Sequence, residues 1–132
     1  ATNTKLHLVK PLGFDISEKA VKRAGLDYWP YVDLEIHESL DDFMEKYKDK
    51  RKFLATTKGG RMYTDFEYMD DDMFLFGRET KGLPRDFIAQ NEEMAIRIPM
   101  SENTRLRSFN LSNSANIILF EALRQLGFPE LK

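Results

Sequence analysis

The chain has 132 residues and a formal net charge of −2 at pH 7, with 42% hydrophobic and 32% charged residues. These values are ordinary for one globular domain with a single core. The absence of cysteine excludes disulfides and thiolate metal sites, and no apolar run approaches the roughly 20 residues that span a bilayer. We therefore expect one cytoplasmic domain over residues 1–132 that makes no membrane contact. Binding of nucleic acid would need local basic patches.

A strand and a helix are predicted first. Leu6–Val9 is a short apolar run that ends before Pro11, as a buried strand followed by a turn would. Asp15 and Glu18 have the spacing of a capping box, which predicts a helix that Gly25 can end in the left-handed conformation.

A second strand and a second helix follow. Residues 32–36 alternate apolar and polar side chains, which is typical of a strand. Ser39 can cap the next helix. The apolar side of that helix would consist of Leu40, Phe43, Met44 and Tyr47.

Three apolar runs, at residues 53–57, 73–76 and 94–98, predict core strands. The last helix has the clearest pattern: Ser112 or Asn113 can cap its start and Gly127 its end. Its apolar stripe would consist of Ala115, Ile118, Leu119, Ala122, Leu123 and Leu126. Alternating strands and helices predict an α/β domain built on a mostly parallel sheet.

The loops after these three strands are the first candidates for a binding site, because ligands of open α/β sheets lie at the carboxyl ends of strands. In residues 77–84, Gly77 and Gly82 permit positive φ and close approach of a ligand. A surface turn explains the glycine pair equally well. Pro84 can be the first residue of a short helix.

Four polar residues, Ser108, Asn110, Ser112 and Asn113, precede or begin the last helix. Helix capping explains one or two of them, but not all four.

Other features carry weaker predictions. A solvated turn explains residues 70–72 far better than a metal site does. We interpret His7 and His37 as structural or surface residues, and we expect no metal. Tyr28, Trp29 and Tyr31 fit packing at a helix end or a subunit interface slightly better than stacking on an unpaired base.

Three stretches together resemble the SPOUT methyltransferases, in particular the tRNA wobble-position 2′-O-methyltransferases of the TrmL type. They are residues 22–28 (KRAGLDY), residues 76–84 (FGRETKGLP), and residues 96–100 (IRIPM) followed by 107–114 (RSFNLSNS). The second and third are specific to ribose methyltransferases, and the first points to the wobble-nucleotide branch. The resemblance covers nearly the whole chain.

The resemblance implies a carboxy-terminal trefoil knot, bound S-adenosylmethionine and a homodimer that acts on tRNA. The implied cofactor contacts are Ala55, Thr56, Thr57, Gly77, Glu79, Gly82, Ile98, Met100, Ser108 and Leu111. The implied RNA contacts are Arg23, Tyr28, Arg78, Lys81, Arg107, Asn110, Ser112 and Asn113.

The family usually places an asparagine and an arginine for RNA binding and deprotonation in an amino-terminal strand-loop-helix, which lies ahead of the first residue here. We therefore expect an amino-terminally truncated family member and assign no catalytic residue. Two alternatives remain: ribose methylation of another RNA, and an inactive module that binds cofactor or RNA.

Overall fold

The structure is a computed structural model that describes residues 1–12, 16–78, 81–103 and 105–132. It contains two compact units, residues 1–49 and residues 50–132. The α/β class predicted from the sequence is confirmed, whereas a single domain over residues 1–132 stays a prediction. Within the described ranges, no helix combines the length and apolar character required to cross a bilayer.

The amino-terminal unit is built on two parallel strands. Its elements are β1 (Leu6–Val9), α1 (Glu18–Arg23), a 3-10 turn (Trp29–Tyr31), β2 (Leu34–His37) and α2 (Leu40–Lys46). The strands pair in register from Leu6 with Leu34 to Val9 with His37. β2 begins two residues later than predicted and extends to His37.

Local caps fix the two helices of this unit. The Ala20 N–H donates to Ser17 Oγ at 3.3 Å, so Ser17 is the cap of α1. The prediction that Asp15 caps this helix in a capping box is therefore wrong. Asp15 itself lies outside the described residues. Gly25 has a φ of 72°, as predicted for the residue that ends α1. Ser39 caps α2 as predicted, accepting from the Asp42 N–H at 3.0 Å.

The carboxy-terminal unit holds a four-stranded sheet in which every strand pair is parallel. Its elements are β3 (Lys52–Ala55), β4 (Arg61–Met62), β5 (Met73–Leu75), α3 (Arg85–Gln90), β6 (Ala95–Arg97) and α4 (Leu111–Gln125). The strand order is β4-β6-β3-β5. The three predicted core strands are thus confirmed with shorter bounds. The sequence did not predict β4, which is too short to show a periodicity.

One face of this sheet and α4 form the core of the unit. Phe53 of β3 and Ile96 of β6 are fully buried, and they cluster with Tyr68 and with Ile118 and Ala122 of α4. Leu126, predicted for the same stripe of α4, is instead exposed. Burial of these aromatic and aliphatic side chains is the main term that holds the sheet against α4.

Two predicted helix starts differ from the structure. The cap of α4 is Asn110, whose Oδ1 accepts from the Asn113 N–H at 2.8 Å, so the prediction of Ser112 or Asn113 as the cap is wrong. Which residue caps a helix depends on its backbone conformation. Several neighbouring side chains in this loop have an oxygen that can accept from a helix N–H, so the sequence alone could not identify the cap. Pro84 precedes α3 rather than beginning it.

Candidate functional site

The carboxyl ends of three neighbouring strands lie at one edge of the four-stranded sheet. Leu54 of β3 pairs with Leu75 of β5 on one side and with Ala95 of β6 on the other. The Thr56 N–H then donates to the Ile96 carbonyl at 2.9 Å, which continues the pairing beyond β3. Because all of these pairs are parallel, the loops that begin near residues 56, 76 and 98 start at the same edge.

The implied cofactor contacts divide by exposure. Ala55 ends β3, Gly77 follows β5 by two residues and Ile98 comes directly after β6, and all three are half-buried. Ala55 and Ile98 also pack against the core cluster. Thr56, Met100 and Leu111 are half-buried, whereas Thr57, Gly82 and Ser108 are exposed. Glu79 lies outside the described residues.

In the loop after β5, Gly77 and Arg78 lie against Gly82 and Leu83. The Gly82 N–H donates to the Arg78 carbonyl at 2.8 Å, the two residues form an isolated antiparallel bridge, and Gly82 has a φ of 68°. A β-carbon on Gly77 would lie 1.9 Å from the Gly82 carbonyl carbon and 2.1 Å from the Leu83 nitrogen. Closure of the turn on itself therefore requires glycine at position 77, whatever ligand it contacts.

The turn after β3 is shaped by its own hydrogen bonds. Thr56 Oγ1 donates to the Lys58 carbonyl at 2.9 Å, so this hydroxyl already has a partner in the loop. A ligand at this strand end would meet the half-buried Ala55 side chain and the backbone rather than a free threonine hydroxyl.

The polar run before α4 has two roles. Asn110 caps the helix, and the Ser112 hydroxyl donates to Asn110 Oδ1 at 3.3 Å, so these two side chains stabilise the helix start. Ser108 and Asn113 are exposed and take no part in those side-chain bonds. Capping thus explains two of the four polar residues, which agrees with the expectation that it would not explain all of them.

Basic side chains border the same loops. Arg78, Lys81 and Arg107 are exposed, and each belongs to a loop that starts at this sheet edge. Arg105 is also exposed, and its backbone N–H donates to Asn103 Oδ1 at 3.1 Å. Positive charge is therefore concentrated in these loops although the whole chain carries a net charge of −2.

The amino-terminal unit contains the remaining implied RNA contacts. Arg23 is exposed at the end of α1. Tyr28 is 59% exposed and Tyr31 is 89% exposed, so packing against the helix end, one form of the favoured interpretation, is wrong for both. A cavity of about 510 Å³ in this unit is lined in part by Lys22, Leu26 and Trp29.

Sequence reasoning missed a polar contact that fixes the segment before β5. The Tyr68 N–H donates to Gln125 Oε1 at 2.8 Å, and Gln125 Nε2 donates to the Phe66 carbonyl at 3.0 Å. The Tyr68 hydroxyl donates to the Tyr63 carbonyl. Burial, and secondly the charge of Glu121, raise the pKa of Tyr68 to about 12. Because Gln125 is separated from Phe66 by 59 positions, no local pattern could have shown the contact.

These features define the class of protein: an α/β fold with three loops that start at the carboxyl edge of a parallel sheet. The chain belongs to the SpoU rRNA Methylase family, whose profile matches residues 1–120. It is therefore a methyltransferase.

Three comparisons refine this assignment. A Bacillus subtilis relative, provisionally named a tRNA (cytidine(34)-2′-O)-methyltransferase, is 49% identical over 100% of this chain and 83% of its own length. A solved structure described as giving insight into 2-OH methylation of C/U34 on tRNA is 38% identical, with a TM-score of 0.83 over 95% of this chain and 80% of that one. An AdoMet-bound rRNA methyltransferase from Sinorhizobium meliloti is 26% identical, with a TM-score of 0.75 over 92% of this chain and 46% of that one.

Proposed function

We propose that this chain transfers a methyl group from S-adenosylmethionine to the ribose 2′-hydroxyl of the wobble nucleotide, position 34, of tRNA. The observation that carries the proposal is that Ala55, Gly77 and Ile98 lie at or just after the carboxyl ends of three adjacent parallel strands, at one sheet edge. Two relatives with similarity over nearly the whole chain are named or described for this reaction.

The residues at this edge suit S-adenosylmethionine. The half-buried side chains of Ala55, Ile98, Met100 and Leu111 offer apolar surface for the adenine ring and the sulfonium methyl group. At Gly77 and Gly82 the next loop offers backbone without a side chain. When bound, the cofactor supplies an electrophilic methyl group.

The contribution of the chain to the reaction is mainly positioning. The cofactor, held by Ala55, Ile98, Met100 and Leu111, would supply its methyl group to the ribose oxygen, whose proton would have to be removed. An aligned approach of the two reactants would supply much of the rate enhancement. Among the residues of this chain we assign none to the removal of that proton.

The exposed Arg78, Lys81 and Arg107 are the proposed phosphate contacts beside the cofactor loops, with Asn113 as a neighbouring polar contact. In the amino-terminal unit, Arg23 and the exposed ring of Tyr28 are the proposed contacts to backbone and to an unpaired base. We place the enzyme in the cytoplasm.

A homodimer is the proposed assembly. Phe120, Leu126 and Phe128 at the carboxy-terminal end of the chain are 47%, 37% and 42% exposed, and the rings of Phe120 and Phe128 are 6.5 Å apart. Exposed apolar side chains in contact with one another are typical of a protein interface. Phe120→Asp should shift the mass in light scattering from two chains to one, and a monomeric parent chain would contradict the assembly.

The function is tested by calorimetric titration with S-adenosylhomocysteine and by methyl transfer to unmodified tRNA in the same preparation. Mass spectrometry of nuclease fragments then locates the methylated ribose. Methylation at position 34 supports the proposal. Methylation only at another site or in another RNA supports the first alternative, ribose methylation of another RNA. Cofactor binding without methyl transfer supports the second, an inactive binding module.

A further inference from the structure

The chain has two histidines, and their side chains are within hydrogen-bond distance of each other. His7 of β1 pairs in register with Glu35 of β2, and His37 lies two residues beyond Glu35, so all three side chains share one face of the two-stranded sheet. His7 Nδ1 is 3.0 Å from His37 Nε2 and 3.2 Å from Glu35 Oε2. His37 Nε2 is 3.5 Å from Glu35 Oε2. The three atoms therefore form a compact triangle.

This triangle has the dimensions of one face of a tetrahedral metal site. Zinc bonds to imidazole nitrogen and carboxylate oxygen of about 2.0–2.2 Å place neighbouring ligand atoms about 3.3–3.6 Å apart in a tetrahedron. The observed separations of 3.0, 3.2 and 3.5 Å differ from that range by a few tenths of an ångström at most. We propose that His7, Glu35 and His37 bind a divalent transition-metal ion of the zinc type, with water at the fourth position.

The surroundings of the triangle hold it in place. Phe43 and Tyr47 of the α2 segment pack edge-on against His7, with ring centroids 5.5 Å and 5.1 Å away. The Tyr47 hydroxyl and the Lys46 ammonium both donate to the Glu35 carboxylate. Hydrogen bonds of this kind orient a ligating carboxylate. His37 is buried, whereas His7 and Glu35 side chains keep 17% and 18% of their surface exposed, which gives an ion a path of entry.

Two charges set the expected affinity. Lys46 lies against Glu35, and Lys5 Nζ is 3.7 Å from Glu35 Oε2, so both cations oppose a divalent ion. We expect binding weaker than at thiolate sites. Two nitrogens and one oxygen favour Zn²⁺ and Co²⁺ over Mg²⁺ and Ca²⁺, which prefer all-oxygen ligands.

Such a site would tie β1 to β2 and would be separate from methyl transfer, because none of its three residues is among the implied cofactor contacts. It departs from the expectation, formed from the sequence, that the chain binds no metal. The two histidines are far apart in the chain, at positions 7 and 37, and only strand pairing brings them together.

The test uses the full chain without a histidine tag. Calorimetric titration with Zn²⁺ should give one ion per chain, and Co²⁺ should give the intense visible absorption of a tetrahedral centre. His7→Asn and His37→Gln should each abolish both signals, while Asp70→Asn, which alters an exposed carboxylate, should leave them unchanged. Since the chain has no cysteine and no other histidine, zinc binding of unchanged affinity in either variant would overturn the proposal.

A second measurement does not depend on the variants being folded. In the parent chain, saturating Zn²⁺ should shift the ring resonances of both histidines in nuclear magnetic resonance spectra and raise the thermal unfolding midpoint. No binding by the parent chain, or a shift of only one ring, would overturn the proposal and would leave a hydrogen-bonded His-Glu-His cluster.

Discussion

The backbone of Gly82 lies so close to Gly77 that a β-carbon on Gly77 would be 1.9 Å from the Gly82 carbonyl carbon. A β-carbon on Gly82 would meet no atom of the described residues within 4 Å, although Gly82 has a φ of 68°. The two glycines are therefore required for different reasons: the first by space and the second by backbone conformation.

We expect Gly77→Ala to reduce the affinity for S-adenosylhomocysteine by at least about tenfold, which corresponds to about 1.4 kcal/mol. The added methyl group cannot fit unless the turn opens. Gly82→Ala is the matched control, since its cost is backbone strain of about 1 kcal/mol with no collision. Calorimetric titration of both variants checks the expectation. Equal affinities for the two variants would show that closure of this turn does not shape the cofactor site.

Gln125→Ala should destabilise the carboxy-terminal unit by about 2–4 kcal/mol, because the Tyr68 N–H and the Phe66 carbonyl would each lose their side-chain partner. Gln125→Glu should also be destabilising, since a carboxylate can still accept from Tyr68 but would face the Phe66 carbonyl oxygen and the Glu121 carboxylate without a proton to donate. Urea unfolding followed by circular dichroism measures both. Gln90→Ala, at an exposed position of α3, should change the free energy of unfolding by less than about 0.5 kcal/mol.

Tyr68 predicts a dependence of stability on alkaline pH. Its folded-state pKa of about 12 exceeds the value of about 10 expected for an unfolded tyrosine. The stability that the neutral phenol contributes is therefore fully present below pH 10 and is lost as the pH rises from about 10 through 12.

Tyr68→Phe should remove this part of the decline, and it should cost about 1 kcal/mol at neutral pH through loss of the hydrogen bond to Tyr63. Tyr31→Phe, at a position 89% exposed, is the control. Unfolding midpoints between about pH 8 and 12 test the effect, and parallel profiles for Tyr68→Phe and the parent chain would contradict it.

Arg107→Ala should weaken tRNA binding or turnover more than it weakens binding of S-adenosylhomocysteine, since an exposed arginine here is suited to contact phosphate. The slope of log affinity against log salt should fall by about one. Arg105→Ala should have a smaller effect, because Arg107 begins the stretch of residues 107–114 that resembles the family, whereas Arg105 lies outside it. The opposite ranking of the two variants would assign the contact to Arg105. Selective loss of cofactor affinity in Arg107→Ala would place its charge at the cofactor carboxylate.

Local patterns determined much of the fold. The bounds of β1, the Ser39 cap of α2 and the glycines that end α1 and α4 were predicted correctly, because each depends on residues within a few positions of one another. The prediction that β1 is a buried strand is wrong, since Leu6 is exposed and the other three residues are half-buried. Where several adjacent residues had suitable chemistry, as at Asn110, Ser112 and Asn113, local reasoning could not choose among them.

The three loops of the candidate site were also identified from the sequence, since each follows an apolar run that becomes β3, β5 or β6. The resemblance to SPOUT methyltransferases identified S-adenosylmethionine as the cofactor. The trefoil knot and the assignment of individual contacts stay predictions.

The sequence by itself determined the class of fold, the order along the chain of its strands and helices other than β4, and the segments that we propose bind a ligand. Only the tertiary structure decided that β3 lies between β5 and β6, that Gln125 joins Phe66 to Tyr68, and that His7 meets Glu35 and His37. The physical reason is range: helix caps and apolar periodicity arise from neighbouring residues, while strand order and register arise from the pairing of distant segments.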